Sequence, residues 1–256
     1  MLLAIDIGNT SIKLGIFDDD RLKATWRLST EVDRSADEYG ALLLIFLQRQ
    51  KLSTSKIIGV TLCSVVPPLV AVFQEMCQQY LGTSPLVVGA GTKTGVRICV
   101  DNPRELGPDR VVNAVAAHHL YGEPVIIVDL GTAITFDVVS KEGNYLGGVI
   151  GPGINIASEA LFARTAMLPR VELTCPKQVI GNNTISAIQS GMFFGYIGFI
   201  KNILQHIEKE LGCKSKVVAT GGQAYLAKEI PQIEIVNPHL SLIGLLLIYK
   251  MNKVKD

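Results

Sequence analysis

The chain has 256 residues, is 48% hydrophobic and carries a formal net charge of +1. Its length and apolar content suit one large domain or two medium ones with full cores. The near-neutral charge excludes a strong electrostatic case for nucleic acid. No basic region precedes the first apolar segment, which argues against a signal peptide. The longest apolar stretches, 241–249 and 41–47, are too short to span a bilayer. Five cysteines, odd in number and without a Cys-x-x-Cys pair, read as free thiols of a reducing cytoplasm. The four histidines lack metal-ligand spacing.

In chain order, residues 2–7, 11–17 and 22–30 read as three strands, with Asp18-Asp19-Asp20 as the second turn. Tyr39, Leu42, Leu43, Phe46 and Leu47 recur at helical period and predict a helix over 36–51. A strand over 57–64, a helix over 69–81, short strands at 86–88 and 96–100 and a helix beginning near Asp109 follow. The second half repeats the plan. Strands are predicted at 124–129, 133–139 and 145–150, and helices at 154–161 and 184–211. A strand at 216–220, a turn at Gly221-Gly222, a strand at 233–236 and a helix at 240–251 complete it. Three strands and then alternating helix and strand, occurring twice, predict internal duplication: two α/β domains with a cleft between them. The boundary falls near 115–124, giving domains 1–117 and 118–256, with the last helix placed to pack back on the first half.

Two short strings carry the chemistry. Asp6-Ile7-Gly8-Asn9-Thr10 and Asp129-Leu130-Gly131-Thr132-Ala133 each join two strands. Glycine lets backbone amides approach a phosphate. Thr10 and Thr132 hydroxyls suit β- and γ-phosphate oxygens, and a strand-end Asp suits a divalent metal or its waters. Phosphoryl transfer needs positioned phosphates, neutralised charge and an aligned nucleophile. Asp109 lies outside the phosphate loops, near a helix start, and is a better proton acceptor than Asp6. Its neighbour Arg110 suits a substrate carboxylate.

With Asn102-Pro103-Arg104-Glu105-Leu106-Gly107-Pro108-Asp109-Arg110, the run 147–153 and Thr220-Gly221-Gly222, these strings resemble the type III pantothenate kinases. That family belongs to the actin/hexokinase/Hsp70 ATPase superfamily. The resemblance implies duplicated ribonuclease-H-like (actin-like ATPase) α/β domains, each a mixed sheet with flanking helices. It implies a cytoplasmic homodimer that phosphorylates pantothenate to 4′-phosphopantothenate with ATP and Mg²⁺, the first step of coenzyme A synthesis, with K⁺ or NH₄⁺ as monovalent cation. By resemblance, Asp6, Ile7, Gly8, Asn9, Thr10, Ser11, Ile12 and Lys13 form the first ATP-phosphate segment, and Thr132 adds a phosphate contact. Gly107, Pro108, Asp109 and Arg110 contact pantothenate, Asp109 accepts the proton, Asp129 holds the monovalent cation and Thr184 touches pantothenate. Many members carry a Tyr where this chain has Val100, which removes a phenol hydrogen bond to the substrate.

Plainer readings stand beside these. Asp129 equally suits a second Mg²⁺-water ligand. Asp109 and Asn183-Thr184 suit simple helix capping, and the glycines of 147–153 suit tight packing. Arg164 suits a phosphate or the surface. A sugar kinase on the same scaffold, or a regulator of the Bvg accessory factor type, are the competing functions.

Overall fold

The computed structural model describes residues 1–253. The chain forms two compact units. Unit 1 holds Met1–Leu120, Glu142–Tyr145 and the described residues from His239 to Lys253; unit 2 holds Tyr121–Lys141 and Leu146–Pro238.

In unit 1, strands β1 (Leu2–Ile7), β2 (Ser11–Asp18), β3 (Arg21–Ser29), β4 (Gly59–Ser64) and β5 (Leu86–Val87) form one sheet in the order β3-β2-β1-β4-β5. Strand β1 pairs antiparallel with β2 and parallel with β4. Every residue of β1 is buried, as a central strand requires. Edge strand β3 instead alternates, with Leu22, Ala24, Trp26 and Leu28 on one face and Arg21, Lys23, Thr25 and Arg27 on the other. Helices α1 (Ala36–Arg49) and α2 (Pro67–Leu81) cover the face carrying Leu3, Ile5 and Ile7, packing Tyr39, Leu43, Leu47 and Phe73 into that core. A Ser35–Glu38 capping box starts α1. Helix α2 begins two residues earlier than the periodicity predicts, because Pro67 fits the first helical position.

Strand β6 (Arg97–Ile98) and helix α3 (Pro108–Tyr121) complete the first half of the chain.

Unit 2 repeats the topology. Strands β7 (Val125–Leu130), β8 (Ala133–Val139), β9 (Asn144–Pro152), β10 (Lys216–Thr220) and β11 (Ile235–Val236) follow the order β11-β10-β7-β8-β9. Strand β7 is antiparallel to β8 and parallel to β10, as β1 is to β2 and β4. The first two residues of β9, Asn144 and Tyr145, count with unit 1 and pair there with Arg97 and Ile98. Helix α4 (Ile154–Ala163) follows β9, and helix α5 (Thr184–Leu211) packs Phe193, Ile197, Ile200 and Leu204 on Ile126, Val128, Ile134 and Phe136. The last helix, α6 (Leu240–Asn252), belongs to unit 1 and lies on β1, β2 and β4.

Strands β5, β6 and β11 have only two residues each, shorter than their apolar runs predict, because few ladder bonds form at those edges. Three 3-10 turns, Thr54–Lys56, Pro103–Glu105 and Ala224–Glu229, have no counterpart in the sequence reading. Among the described residues, no helix is long and apolar enough to cross a membrane.

Candidate active site

Asp6 is the one charged residue of β1 and is only 7% exposed. Alternation along the strand sends Leu3, Ile5 and Ile7 to the α1–α2 core, and so turns Ala4 and Asp6 to the opposite face. Its cross-strand neighbours are Lys13 on β2 and Cys63 on β4. Residues directly opposite share a face, so both reach its carboxylate. Cys63 Sγ donates to Asp6 Oδ1 at 3.4 Å, and Lys13 Nζ lies 3.7 Å from Oδ2. Ser241, in the first turn of α6, donates from Oγ to Oδ2 at 2.6 Å.

The hairpin beyond Asp6 is tied down on its own atoms. The Gly8 N–H donates to Ser11 O at 3.1 Å, and Thr30 Oγ1 donates to Gly8 O at 2.6 Å. Thr30 N donates to Thr10 O at 3.1 Å. Asn9 and Thr10 are exposed, whereas Ile7 and Ile12 are buried at 0%. Those two isoleucines therefore present no surface to a ligand, and neither do their backbones.

Asp109 lies in the first turn of α3, after Pro108, rather than at the cap. Its Oδ1 accepts the Arg110 N–H at 2.9 Å. A side chain at Gly107 would meet the same oxygen at 2.5 Å, so glycine there leaves room for the carboxylate. The Arg110 guanidinium stacks 5.9 Å from the ring centre of buried Tyr145. Val100 is half-buried, and Asn102 caps the 3-10 turn that precedes α3. Cys63, buried beside Asp6, also feels the charge of Asp109. Burial first, then the charges of both carboxylates, push its thiol well above its ordinary value.

Unit 2 contains the second hairpin. Asp129 ends the buried run of β7, with Thr135 on β8 and Thr220 on β10 as cross-strand neighbours. Hydroxyls thus stand where the ammonium and thiol flank Asp6. Thr135 Oγ1 donates to Asp137 Oδ2 at 3.1 Å, and the buried Thr220 hydroxyl has no hydrogen-bond partner. Gly221, with φ +95°, lets the chain turn over the Asp129 carboxylate. The Gly131 N–H closes this hairpin on Ala133 O at 3.1 Å, as the Gly8 N–H closes the first. Exposed Thr132 is backed by Gly153, whose N–H donates to Thr132 O at 3.0 Å just before α4. Close packing is therefore an observed role of Gly153.

Thr184 begins α5 after an Asn183–Ser186 capping box and lines a cavity of 570 Å³ with Leu161, Leu168, Ile188 and Met192. Arg164 is exposed at the end of α4.

The sequence reading missed Ser241, Cys63 and Tyr145 as neighbours of this chemistry. The available signal for Ser241 was a serine in the otherwise apolar first turn of α6.

Several solved structures share the fold. A Campylobacter jejuni protein described as a Baf family transcriptional activator aligns with a TM-score of 0.59 at 21% identity, covering 98% of each chain. The activator of the 2-hydroxyisocaproyl-CoA dehydratase from Clostridium difficile aligns at 0.52 and 16% identity, covering 100% of this chain and 98% of its own. An inorganic polyphosphate/ATP-glucomannokinase from Arthrobacter sp. aligns at 0.50 and 16% identity, covering 98% and 99%. Two mixed sheets of one topology, each flanked by helices, define a protein of the actin/hexokinase/Hsp70 fold. Sequence comparison narrows the class. A family model described as type III pantothenate kinase matches residues 2–206. A type III pantothenate kinase of Dehalococcoides mccartyi is 51% identical over 254 residues, covering 99% of this chain and 97% of its own. One from Moorella thermoacetica is 51% identical over 253 residues, covering 98% and 100%. The chain belongs to the type III pantothenate kinase family.

Proposed function

We propose that this chain transfers the γ-phosphoryl group of ATP to pantothenate, giving 4′-phosphopantothenate and ADP, with Asp109 as proton acceptor. The family membership supports the reaction. The observation that carries the site is buried Asp6 near the end of β1, gripped by Ser241, Cys63 and Lys13 beside the glycine hairpin.

Asp109 takes the proton of the attacking alcohol as the new P–O bond forms. General-base help of this kind contributes roughly 10²–10⁴ in rate. Arg110, steadied by Tyr145, pairs with the pantothenate carboxylate. The Asp6–Lys13 hairpin binds the phosphates through exposed Asn9 and Thr10 and half-buried Ser11, while Gly8 allows the turn and buried Ile7 and Ile12 anchor it. Lys13 contributes positive charge. Thr132 binds a further phosphate oxygen, helped by the N-terminus of α4 behind it. Bound Mg²⁺ supplies charge neutralisation on the triphosphate, and Asp6 fits it as a carboxylate that keeps one face to the site. Asp129, with the Thr135 and Thr220 oxygens beside it, offers an oxygen set suited to K⁺ or NH₄⁺.

A homodimer is part of the reading. Unit 2 exposes Ile150 at 64%, Ile180 at 87%, Ile185 at 52% and Met167 at 91%, more apolar surface than a lone unit needs. Thr184 precedes Ile185 at the start of α5 and takes its pantothenate contact there. Sedimentation giving a monomer mass at micromolar protein removes the dimer.

The test of function is coupled ADP release with ATP, Mg²⁺ and pantothenate, in potassium and in sodium. Pantothenate-dependent turnover that requires potassium is the expected result. Turnover in both salts keeps the kinase and removes the cation role of Asp129. No turnover in either, with ATP still bound, overturns the substrate.

A further inference from the structure

We propose that Ser241 is a positioning residue for phosphoryl transfer, aiming the Asp6 carboxylate from the first turn of α6. The inference rests on the reading of Asp6 as the carboxylate that serves Mg²⁺ and phosphate. It concerns a residue beyond the segment 2–206 that the family model matches.

Of the three side chains on Asp6, Ser241 makes the tightest contact. Its Oγ lies 2.6 Å from Oδ2 and the residue is 2% exposed. The Cys63 thiol at 3.4 Å is a weak donor, and the Lys13 ammonium at 3.7 Å is too far for a good hydrogen bond. Lys13 and Cys63 are also fixed by sheet register, on either side of β1. They limit where the carboxylate sits and leave its rotation about the Cβ–Cγ bond open. The hydroxyl on the helix restricts that rotation. With Oδ2 held by Ser241, the remaining lone pairs have a defined direction toward a metal water.

The placement of Ser241 is itself determined by close packing. Gly244, one helical turn on, lies so near α3 that a Cβ would stand 2.1 Å from Val112 O. Leu242 fills the space above Gly15, where a Cβ would stand 2.9 Å from Leu242 Cδ1. Helix α3 carries Asp109 in its first turn. A single turn of α6 therefore touches Asp6 through a hydroxyl and the helix of Asp109 through backbone. The relative placement of the two carboxylates depends on that turn. Alanine is a better helix former than serine and costs nothing to bury. A serine in the otherwise apolar first turn is explained by its acceptor.

The experiment compares Ser241→Ala, Ser241→Cys, Asp6→Asn and the Asp6→Asn/Ser241→Ala pair in the full chain. Equilibrium binding of a non-hydrolysable ATP analogue is measured with Mg²⁺ and with chelator, beside kcat and the KM for pantothenate. Ser241→Ala is expected to weaken Mg²⁺-dependent analogue binding about tenfold, the scale of a hydrogen bond to a charged group. Metal-free analogue binding and the KM for pantothenate stay within about twofold, whereas kcat falls. Ser241→Cys, a slightly larger side chain that keeps a weak donor, falls between. In the Asp6→Asn background, Ser241→Ala has no further effect on analogue binding, because it acts through Asp6. A purely structural role lowers stability but leaves the Mg²⁺ dependence of binding untouched, and that result overturns the proposal. If Ser241→Ala does not fold, Ser241→Cys decides by the same readout: wild-type Mg²⁺ dependence overturns, a weakened one supports. Asp6→Asn with wild-type binding and turnover instead removes the underlying role of Asp6.

Discussion

The backbone of Gly153 rests on the carbonyl of Thr132. Its N–H donates to Thr132 O at 3.0 Å, and a Cβ at 153 would stand 2.2 Å from that oxygen and 2.5 Å from Gly131 O. Both obstacles are backbone, so neither can swing away. Gly153→Ala must therefore push the second hairpin from the start of α4. Overpacking of this kind costs about 1–3 kcal/mol. Urea denaturation is expected to show that loss, and the KM for ATP to rise in parallel. Unchanged ATP kinetics in Gly153→Ala argues that the hairpin does not bind phosphate.

Asp109 separates chemistry from binding. Asp109→Asn keeps the shape of the side chain and removes the proton acceptor. Turnover is expected to drop roughly 10²–10⁴-fold, or about 3–5 kcal/mol of barrier, with nucleotide binding retained. Single-turnover ADP release measures this. A loss below about tenfold contradicts the role.

Gly107→Ala probes the same carboxylate without altering it. The new methyl would lie 2.5 Å from Asp109 Oδ1, the end of a side chain that can rotate. The expected result is a lower kcat with stability changed by less than about 0.5 kcal/mol. Equal losses of stability and activity point to backbone damage instead. Thermal unfolding beside steady-state kinetics tells the two apart.

Gly221→Ala tests the second carboxylate. A Cβ there would stand 2.5 Å from Asp129 Oδ1 and 2.5 Å from Leu130 O, on a backbone with φ +95°. The substitution is strained and displaces Asp129. A higher potassium concentration for half-maximal activity is expected. An unchanged potassium response removes Asp129 from cation binding.

The thiols give a pH prediction. Burial pushes the Cys77 thiol up to about 12 from 9.0, and Cys63 shifts in the same direction. An unfolded chain ionises these thiols near 9.0, whereas the folded protein keeps them protonated. The stability they contribute is complete below pH 9.0 and is lost as pH rises toward about 12. Urea midpoints are expected to fall above pH 9.0, and Cys77→Ala to fall less steeply. In native protein a thiol reagent is expected to modify exposed Cys99, Cys175 and Cys213 rapidly, and buried Cys63 and Cys77 only on unfolding.

The sequence by itself determined the long elements and the two hairpins, but not the 3-10 turns or the length of the short edge strands. Helices α1 and α5 and strands β1, β8 and β10 lie where periodicity and apolar runs place them, because those signals come from local backbone geometry and burial. Asp6-Ile7-Gly8 and Asp129-Leu130-Gly131 were legible for the same reason, as residues adjacent in the chain. The tertiary structure alone decided what surrounds each carboxylate. Ser241 is 235 residues from Asp6, and only the docking of α6 brings them together. Cys63 and Lys13 reach Asp6, and Thr135 and Thr220 flank Asp129, through strand register. The contacts of Gly153 with Thr132 and of Gly221 with Asp129 are too close to admit a Cβ, a proximity which no spacing of residue types encodes. A buried carboxylate takes its partners from whatever packing places beside it, so its chemistry became readable only once the strands were paired and the last helix was seated.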